Sequence, residues 1–362
     1  MNEHRLALCF GTRPQVIKAS VLLEAMRGRW SVTTLDTGQH YDFELNELLY
    51  RQLGVPRPDR FLGVGSAEPA EQTAAVITGT AEFLRSEQPS AVVVIGDTNS
   101  TLGCALAASK QGVPLVHVEA GLRASEAGLP EETNRRVVDV LAQLLCAPSR
   151  ATAEALRAEN LPGSVTTTGD VARDALLRHM KLAGPPENQG SFALATLHRA
   201  ALTSDRDALQ AVLAALGEVG MPVVLPLHPR TLQALERFDL RSRVPSSVRL
   251  TSPMGYLESI AAVRDAAVVI TDSGGLQREA YWLQTPCVTL RSETEWRETI
   301  ECGANVLVPP LDAPGTLRRV AADQLHRRQE TLWAPDAYGD GRAAERVVTA
   351  VVDLLDGRDG GG

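Results

Sequence analysis

The chain is predicted to fold as two doubly wound, parallel α/β domains in series, and three observations predict this. Its 362 residues exceed one ordinary hydrophobic core and suit two domains of about 150–200 residues each. Short β-rich runs alternate with longer helix-periodic stretches from end to end. The run Ala91-Val92-Val93-Val94-Ile95 is apolar without interruption, as expected of a central parallel strand buried on both faces. Repeated βα units of this kind build parallel sheets with right-handed crossovers.

In the first half, strands are expected over 6–10, 32–36, 91–95, 115–119, 145–147 and 165–168. Helices are expected over 20–26, 43–53, 70–86 and 102–111. Another starts near Pro130, with Val137, Leu141, Leu144 and Leu145 on one face. The stretch 181–190, containing Gly184-Pro185-Pro186, reads as the linker. The second half repeats the pattern, with strands over 192–196, 223–227, 248–250, 267–271 and 287–290. Its helices are expected over 206–219, 256–265 and 276–283, and a last one covers about 343–355. The expected division is a first domain over 1–180, a second over 190–340, and a C-terminal helix within 341–356. The glycine-rich tail, 357–362, reads as disordered. Open α/β sheets bind ligands beyond the carboxyl ends of their strands, so an interdomain cleft lined by both sets of strand ends is expected.

Composition narrows the partners. The net charge of −8 argues against a general nucleic-acid or anionic-membrane binder. No apolar run approaches the ~18 residues a membrane span needs, and residues 1–5 are too polar for a signal peptide. Five cysteines form no CxxC pair and no metal-ligand spacing. Cys9, Cys104, Cys146 and Cys287 lie in apolar contexts and read as buried free thiols of a reducing, cytoplasmic compartment.

The residues with chemistry cluster at expected strand ends. Gly11-Thr12-Arg13-Pro14-Gln15-Val16-Ile17-Lys18 follows the first strand. Its glycine admits a close backbone approach, and Arg13 and Lys18 offer cations to a diphosphate. A tight turn with two surface cations is the alternative. Thr37-Gly38-Gln39-His40 ends the second strand, where loop chemistry is favoured over a part in the site. Asp97, after the buried strand, is either a ligand-facing carboxylate or a cap for the next helix. Glu119 ends an apolar strand, where desolvation would move it towards a useful acid/base range. Glu131 follows Pro130 in a helix start, where a carboxylate also favours the helix dipole. Three carboxylates at neighbouring element ends of one sheet exceed what capping requires.

The second half adds Thr196-Leu197-His198-Arg199 and Pro226-Leu227-His228-Pro229-Arg230, both at strand ends. It also adds Thr271-Asp272-Ser273-Gly274-Gly275-Leu276-Gln277-Arg278-Glu279. Strand, Ser-Gly-Gly, then helix is a phosphate cradle, because free N–H groups and the helix dipole both favour an anion. Glu279 lies about one turn into that helix, within reach of a ribose diol.

In this order the motifs GTRPxxxK, TGQH, GDT, HVEAGLR, PEExNR, LHR, HPRT and TDSGGLQxEA resemble those of the non-hydrolysing UDP-N-acetylglucosamine 2-epimerases, over roughly 6–353. The resemblance implies two Rossmann-like domains of the glycosyltransferase-B type, a homodimer, and a last helix that packs on the first domain. It implies a UDP-sugar substrate and neither a metal nor any other cofactor. By position it assigns Arg13, Ser273, Gly274 and Gly275 to the diphosphate, Glu279 to the ribose, and Lys18 to the vicinity of the phosphates. Asp97, Glu119 and Glu131 become the catalytic acids and bases, and His198 faces the sugar diphosphate. Arg135 and His228 join the substrate-binding set through their motifs. The implied reaction removes the C2 proton as UDP leaves C1, then returns UDP after protonation of the other face.

Some positions depart from the family pattern. Gln15 replaces an acid. The HRxEN segment reads His198-Arg199-Ala200-Ala201-Leu202, and Ser125 and Ala127 replace an aromatic and a basic residue. Glutamines that bind an activating UDP-sugar in regulated members give way to Tyr41-Asp42-Phe43-Glu44-Leu45, implying no such activation. The alternatives are epimerisation of a UDP-2,3-diacetamido-2,3-dideoxyglucuronate, hydrolysis to free N-acetylmannosamine and UDP, or a UDP-sugar sensor without catalysis. A glycosyltransferase shares the fold but has no evident use for the carboxylate trio.

Overall fold

A computed structural model describes residues 4–39, 43–124, 129–187, 189–327, 333 and 335–359. His40, Tyr41, Asp42, Ser125 and Ala127 lie outside the described residues. The chain divides into two compact units. The first comprises 1–178 and 336–362, and the second 179–335.

In the first unit, β1 (Arg5–Phe10), α1 (Arg13–Arg27), β2 (Ser31–Asp36), α2 (Phe43–Leu53), β3 (Arg60–Phe61) and α3 (Pro69–Glu87) lead to β4 (Ala91–Ile95). Next come α4 (Asn99–Lys110), β5 (Leu115–Val118), α5 (Pro130–Leu141), β6 (Leu144–Ala147), α6 (Arg150–Ala158), β7 (Ser164–Thr167) and α7 (Val171–His179). The sheet order is β3-β2-β1-β4-β5-β6-β7, and every pairing is parallel. All five residues of β4 are fully buried, as their uninterrupted apolar run requires.

The second unit contains β8 (Ala193–Thr196), α8 (Ala200–Thr203), α9 (Arg206–Gly217), β9 (Val223–Pro226), α10 (Pro229–Arg237) and β10 (Val248–Thr251). It continues through α11 (Tyr256–Asp265), β11 (Val268–Thr271), α12 (Gly274–Trp282), β12 (Cys287–Thr289), α13 (Arg297–Glu301), β13 (Asn305–Leu307) and α14 (Ala313–Arg327). Its parallel order is β10-β9-β8-β11-β12-β13. The last helix, α15 (Ala343–Asp359), belongs to the first unit and packs on α1. Asp174 fastens it by accepting from the Ala344 N–H at 2.8 Å.

Each sheet reverses its winding once, between β1 and β4 and between β8 and β11. Loops at such switch points diverge and leave a crevice for ligands. The four loops there begin at Gly11, Gly96, Leu197 and Asp272, and four of the motifs, GTRPxxxK, GDT, LHR and TDSGGLQxEA, occupy them.

Several expectations change. The helix expected over 20–26 begins at Arg13, because Pro14 sits in its first turn, where a missing N–H costs nothing. Helix α15 runs through Asp359, so 357–359 are helical and the disordered reading of that stretch is corrected. The glycine there lowers helix stability by about 1 kcal/mol without ending the helix. The Gly184-Pro185-Pro186 stretch is tied to α11, whose Arg264 donates to the carbonyls of Gly184 and Pro185 at 2.7 and 3.0 Å.

Cys9, Cys104, Cys146 and Cys287 are free and buried. Burial pushes the Cys146 and Cys287 thiols up to about 12. Among the described residues, no helix is long and apolar enough to cross a membrane.

Gly11 is demanded by packing as well as by any ligand. A Cβ there would overlap the hydroxyls of Thr37 and Ser100, which bond each other at 2.6 Å directly above it. Overpacking of this kind costs about 1–3 kcal/mol. Gly11→Ala is therefore expected to lower the urea midpoint by an equivalent amount, and an unchanged midpoint would show that the hydroxyl pair can move aside.

Candidate active site

In the first unit, Gln15 organises the turn after β1. Its Oε1 accepts from the Gly11 and Thr12 N–H groups at 2.9 and 3.1 Å. Its Nε2 donates to the Ile95 carbonyl at 2.6 Å and to the hydroxyls of Thr98 and Thr101 at 3.0 and 2.8 Å. The amide therefore spans the switch point between β1 and β4. An ionised acid at this position has no proton to give Ile95, so the departure at Gln15 is absorbed by its surroundings. Arg13 is the first residue of α1 and is partly exposed. Among the described residues its guanidinium has no hydrogen-bond or ion-pair partner. A free cation at a helix N-terminus is suited to an anionic ligand.

The carboxylates gather one strand further along. Asp97 follows Gly96, whose φ of 67° turns the chain sharply out of β4. The cap of α4 is Thr98, whose side chain accepts from the Thr101 N–H, so Asp97 is free of that duty. Its carboxylate pairs with Arg135, and its carbonyl accepts from the Asn134 side chain at 3.0 Å. Arg135 is 3% exposed and also donates to Glu132 at 2.7 Å. Burial alone would pull its guanidinium down, but Asp97 and Glu132 hold it above its ordinary range.

Glu119 sits immediately after β5 with a φ of 72°, a left-handed backbone that costs a non-glycine residue about 1–3 kcal/mol. Two N–H groups, its own and that of Ala120, share the Cys146 carbonyl at 3.1 Å each and hold this turn. The carboxylate pairs with the buried Lys18. It also lies against the Gly96 turn, since a Cβ on Gly96 would stand 3.3 Å from its Oε2. Lys18, Glu119, the Asp97 turn and Arg135 thus form one contiguous group. Lys18 is committed to Glu119 rather than standing exposed as a surface cation.

Glu131 lies in the first turn of α5, exposed and without a hydrogen-bond or ion-pair partner among the described residues. Its neighbour Glu132 carries the structural load. It accepts from the Ala124 N–H at 3.0 Å and pairs with Arg135 and Arg136 at 2.7 Å each. Burial raises the Glu132 carboxyl, but the Ala124 N–H and the two arginines outweigh it and hold it below the usual range. The helix-start duty weighed for Glu131 therefore falls on Glu132.

In the second unit, His198 follows β8 and is gripped by Asp272, which follows β11. Asp272 is 1% exposed. One of its oxygens accepts from the His198 and Arg199 N–H groups at 2.8 Å each, and the other meets His198 Nδ1 at 2.8 Å. Burial raises the Asp272 carboxyl, but His198 and the two N–H donors prevail and hold it below the usual range. Asp272 so stands against Nδ1 of the imidazole, and Nε2 points away from that contact. The His228 ring stands 5.5 Å away, and His228 caps α10 through Nδ1.

Ser273 caps α12, its hydroxyl accepting from the Leu276 N–H at 3.3 Å. Gly274 and Gly275 begin the helix. Gly274 leaves room for Glu295, whose Oε1 would lie 3.0 Å from a Cβ there, and Glu295 is paired with Arg291 at 3.0 Å. Gln277 braces the cradle by donating to the Ser273 carbonyl at 3.1 Å and accepting from Thr294 at 2.8 Å. Glu279 is partly buried on the same helix.

The sequence reading passed over Asp272, Gln277, His117 and Asp139. Asp272 carried the same signal as Glu119, a carboxylate at the end of an apolar strand, but its position inside the cradle motif hid it. His117 lies in an apolar strand with no sign of its buried partner.

The fold is that of an α/β protein of the glycosyltransferase-B type, with carboxylates paired to buried cations at one switch point and a Ser-Gly-Gly helix start at the other. The family model described as UDP-N-acetylglucosamine 2-epimerase matches residues 24–352. The chain is 38% identical over 363 residues to the UDP-2,3-diacetamido-2,3-dideoxy-D-glucuronate 2-epimerase of Pseudomonas aeruginosa, covering 97% of this chain and 100% of that one. It is 33% identical to the UDP-N-acetylglucosamine 2-epimerase of Methanocaldococcus jannaschii, covering 95% and 98%. The crystal structure of the M. jannaschii UDP-GlcNAc 2-epimerase in complex with UDP-GlcNAc and UDP superposes with a TM-score of 0.88 at 32% identity, covering 96% of this chain and 99% of that one. The chain belongs to the UDP-N-acetylglucosamine 2-epimerase family, a family of isomerases.

Proposed function

We propose that this protein interconverts UDP-N-acetylglucosamine and UDP-N-acetylmannosamine by eliminating and re-adding UDP. The observation that carries this reading is the group formed by Asp97, Glu119, Lys18 and Arg135 at the first switch point. It places two carboxylates beside buried cations, with capping left to Thr98.

In the proposed reaction a carboxylate takes the proton from C2, the C1–O bond breaks with its electron pair going to UDP, and a C1=C2 double bond forms. Protonation of C2 from the other face and return of the UDP oxygen to C1 complete the epimerisation. Two faces of one carbon need proton-transferring groups on both sides, which is the use proposed for Asp97, Glu119 and Glu131. The departing diphosphate gathers negative charge. Arg13, the Ser273-Gly274-Gly275 cradle and His198 Nε2 are proposed to stabilise it there, and Glu279 to hold the ribose. Arg135 is proposed to keep Asp97 in place and His228 to complete the phosphate surroundings. The working protein is proposed to be a cytoplasmic homodimer.

A second reading takes the diacetamido uronate as substrate. It is favoured by the similarity to the P. aeruginosa enzyme and by Ala200-Ala201 in place of the Glu-Asn of the HRxEN segment. Parallel kinetics on UDP-N-acetylglucosamine and UDP-2,3-diacetamido-2,3-dideoxyglucuronate, with products resolved by proton NMR, separate the two. The expected result is a higher kcat/KM on UDP-N-acetylglucosamine with both nucleotide sugars intact at equilibrium. Turnover of the uronate alone would replace the first reading with the second, and release of free N-acetylmannosamine would make the protein a hydrolase.

A further inference from the structure

Beneath the carboxylate group lies a polar cluster that the proposed reaction does not use directly. His117, on β5, and Asp139, on α5, are both 0% exposed. His117 Nδ1 meets Asp139 Oδ1 at 2.6 Å, and its Nε2 meets the Gly96 carbonyl at 2.8 Å. The other oxygen of Asp139 accepts from the Gly121 N–H at 3.3 Å and pairs with Arg123 at 2.8 Å. Arg123 in turn makes a two-pronged bond to Glu159, 2.7 Å at each prong.

The connections give this cluster its meaning. Gly96 is the turn that presents Asp97. Gly121 and Arg123 follow Glu119 in the loop that leads to α5. Asp139 itself stands on α5, whose first turn carries Glu131 and whose next residues include Arg135. One buried carboxylate therefore braces, directly or through His117, every segment that presents a proposed acid or base.

The hydrogen-bond chemistry decides a second point. A backbone carbonyl only accepts, so Nε2 must carry a proton. Asp139 faces donors on every side: His117, the Gly121 N–H and Arg123. Burial raises its carboxyl, but His117 and Arg123 overcome this and hold it below the usual range. An ionised Asp139 only accepts, so Nδ1 must carry a proton as well. Charges then alternate through the cluster, from His117 to Asp139 to Arg123 to Glu159, which is how buried charges are kept satisfied.

We propose that His117, giving one ring proton to Asp139 and the other to the Gly96 carbonyl, forms with Asp139 a positioning pair that fixes the Gly96–Asp97 turn in its reactive orientation. This rests on the carboxylates being the proton-transferring groups. Two measurements test it. In nitrogen NMR of the full-length protein labelled on histidine, under the conditions of the kinetic assay, the ring assigned to His117 is expected to show two protonated nitrogens. A neutral tautomer under those conditions would overturn the proposal, and this experiment needs neither a substitution nor turnover. In kinetics, Asp139→Asn removes the charge that holds the second proton. Its kcat is expected to fall about 10-fold to about 100-fold, the scale of a misplaced reacting group, with KM and UDP affinity within about twofold. Loss of packing alone would lower the urea midpoint without this split between kcat and KM. An Asp139→Asn enzyme with wild-type kcat would overturn the proposal. Should Asp139→Asn fail to fold, the NMR result on the unsubstituted protein decides. Absence of epimerase activity in the unsubstituted protein would instead overturn the proposed function and leave the protonation of His117 standing.

Discussion

Asp97→Asn is expected to lower kcat at least about 100-fold, the usual loss on removing a general acid or base, while UDP affinity stays within about twofold. The geometry makes this a clean substitution. Asn134 holds Asp97 by its backbone carbonyl, and Thr98 caps α4, so the turn keeps its fastenings. Arg135 loses the charge of one partner but retains Glu132 at 2.7 Å. The amide oxygen can still face the guanidinium. What disappears is the capacity to take or give a proton. Steady-state kinetics together with calorimetric titration of UDP check both halves. Activity near wild type would remove Asp97 from the mechanism.

Asp272→Asn carries the second large effect, and it should be seen in both stability and turnover. The wild-type carboxylate accepts two backbone N–H groups at 2.8 Å in a fully buried position, and its other oxygen stands 2.8 Å from His198 Nδ1. An amide can keep its oxygen on the two backbone N–H groups only by turning its NH2 towards His198 Nδ1, which then cannot carry the proton it gives the carboxylate. Hydrogen bonds to a charged group are worth about 1.5–3 kcal/mol each, so the urea midpoint should fall by an amount of that order. His198 also loses the group that orients its ring, and kcat should fall about 100-fold. The pH dependence follows from the direction of the shift. The Asp272 carboxyl lies below its usual range in the fold, so below about pH 4 the unfolded chain binds the extra proton first. The stabilisation is therefore complete above the ordinary carboxylate range and is lost as the pH falls through the lowered folded value. The wild-type protein should lose this increment in acid. Asp272→Asn should lack it at every pH, so the stability gap between the two narrows on acidification. A gap that widens in acid would contradict the assignment.

Much of this architecture was legible in the chain itself. Strand β4 announced itself because five consecutive apolar residues suit only a position buried on both faces. The loops at both switch points were visible because glycine and charged residues interrupt apolar runs there. Other elements were hidden for physical reasons. Helix α10 starts inside the His228-Pro229-Arg230 motif and spans nine residues, too short for a periodic signal to outweigh the proline. Helix α14 was masked by Pro314 and Gly315, which leave helical geometry at its start. Strand β13 is three residues long and owes its place to β12. The site shows the same divide. Cations and carboxylates were visible as residue types, but their pairing was not. Lys18 meets Glu119 across 101 positions, and His198 meets Asp272 across 74. Only folding joins such pairs, and it makes a lysine expected near the phosphates the partner of a carboxylate as well. It also divided the duties of Glu131 and Glu132, which are adjacent and chemically identical in the sequence.

The central claim is a proton exchanged at C2 while UDP leaves and returns to the same sugar. Incubation with UDP-N-acetylglucosamine in heavy water, followed by proton NMR, tests it most directly. The account predicts loss of the C2 proton signal from both nucleotide sugars as they approach equilibrium, with deuterium at C2 and no lasting accumulation of free sugar. Epimerised product that keeps its original C2 proton, or a nucleotide sugar that binds and never exchanges, would contradict it.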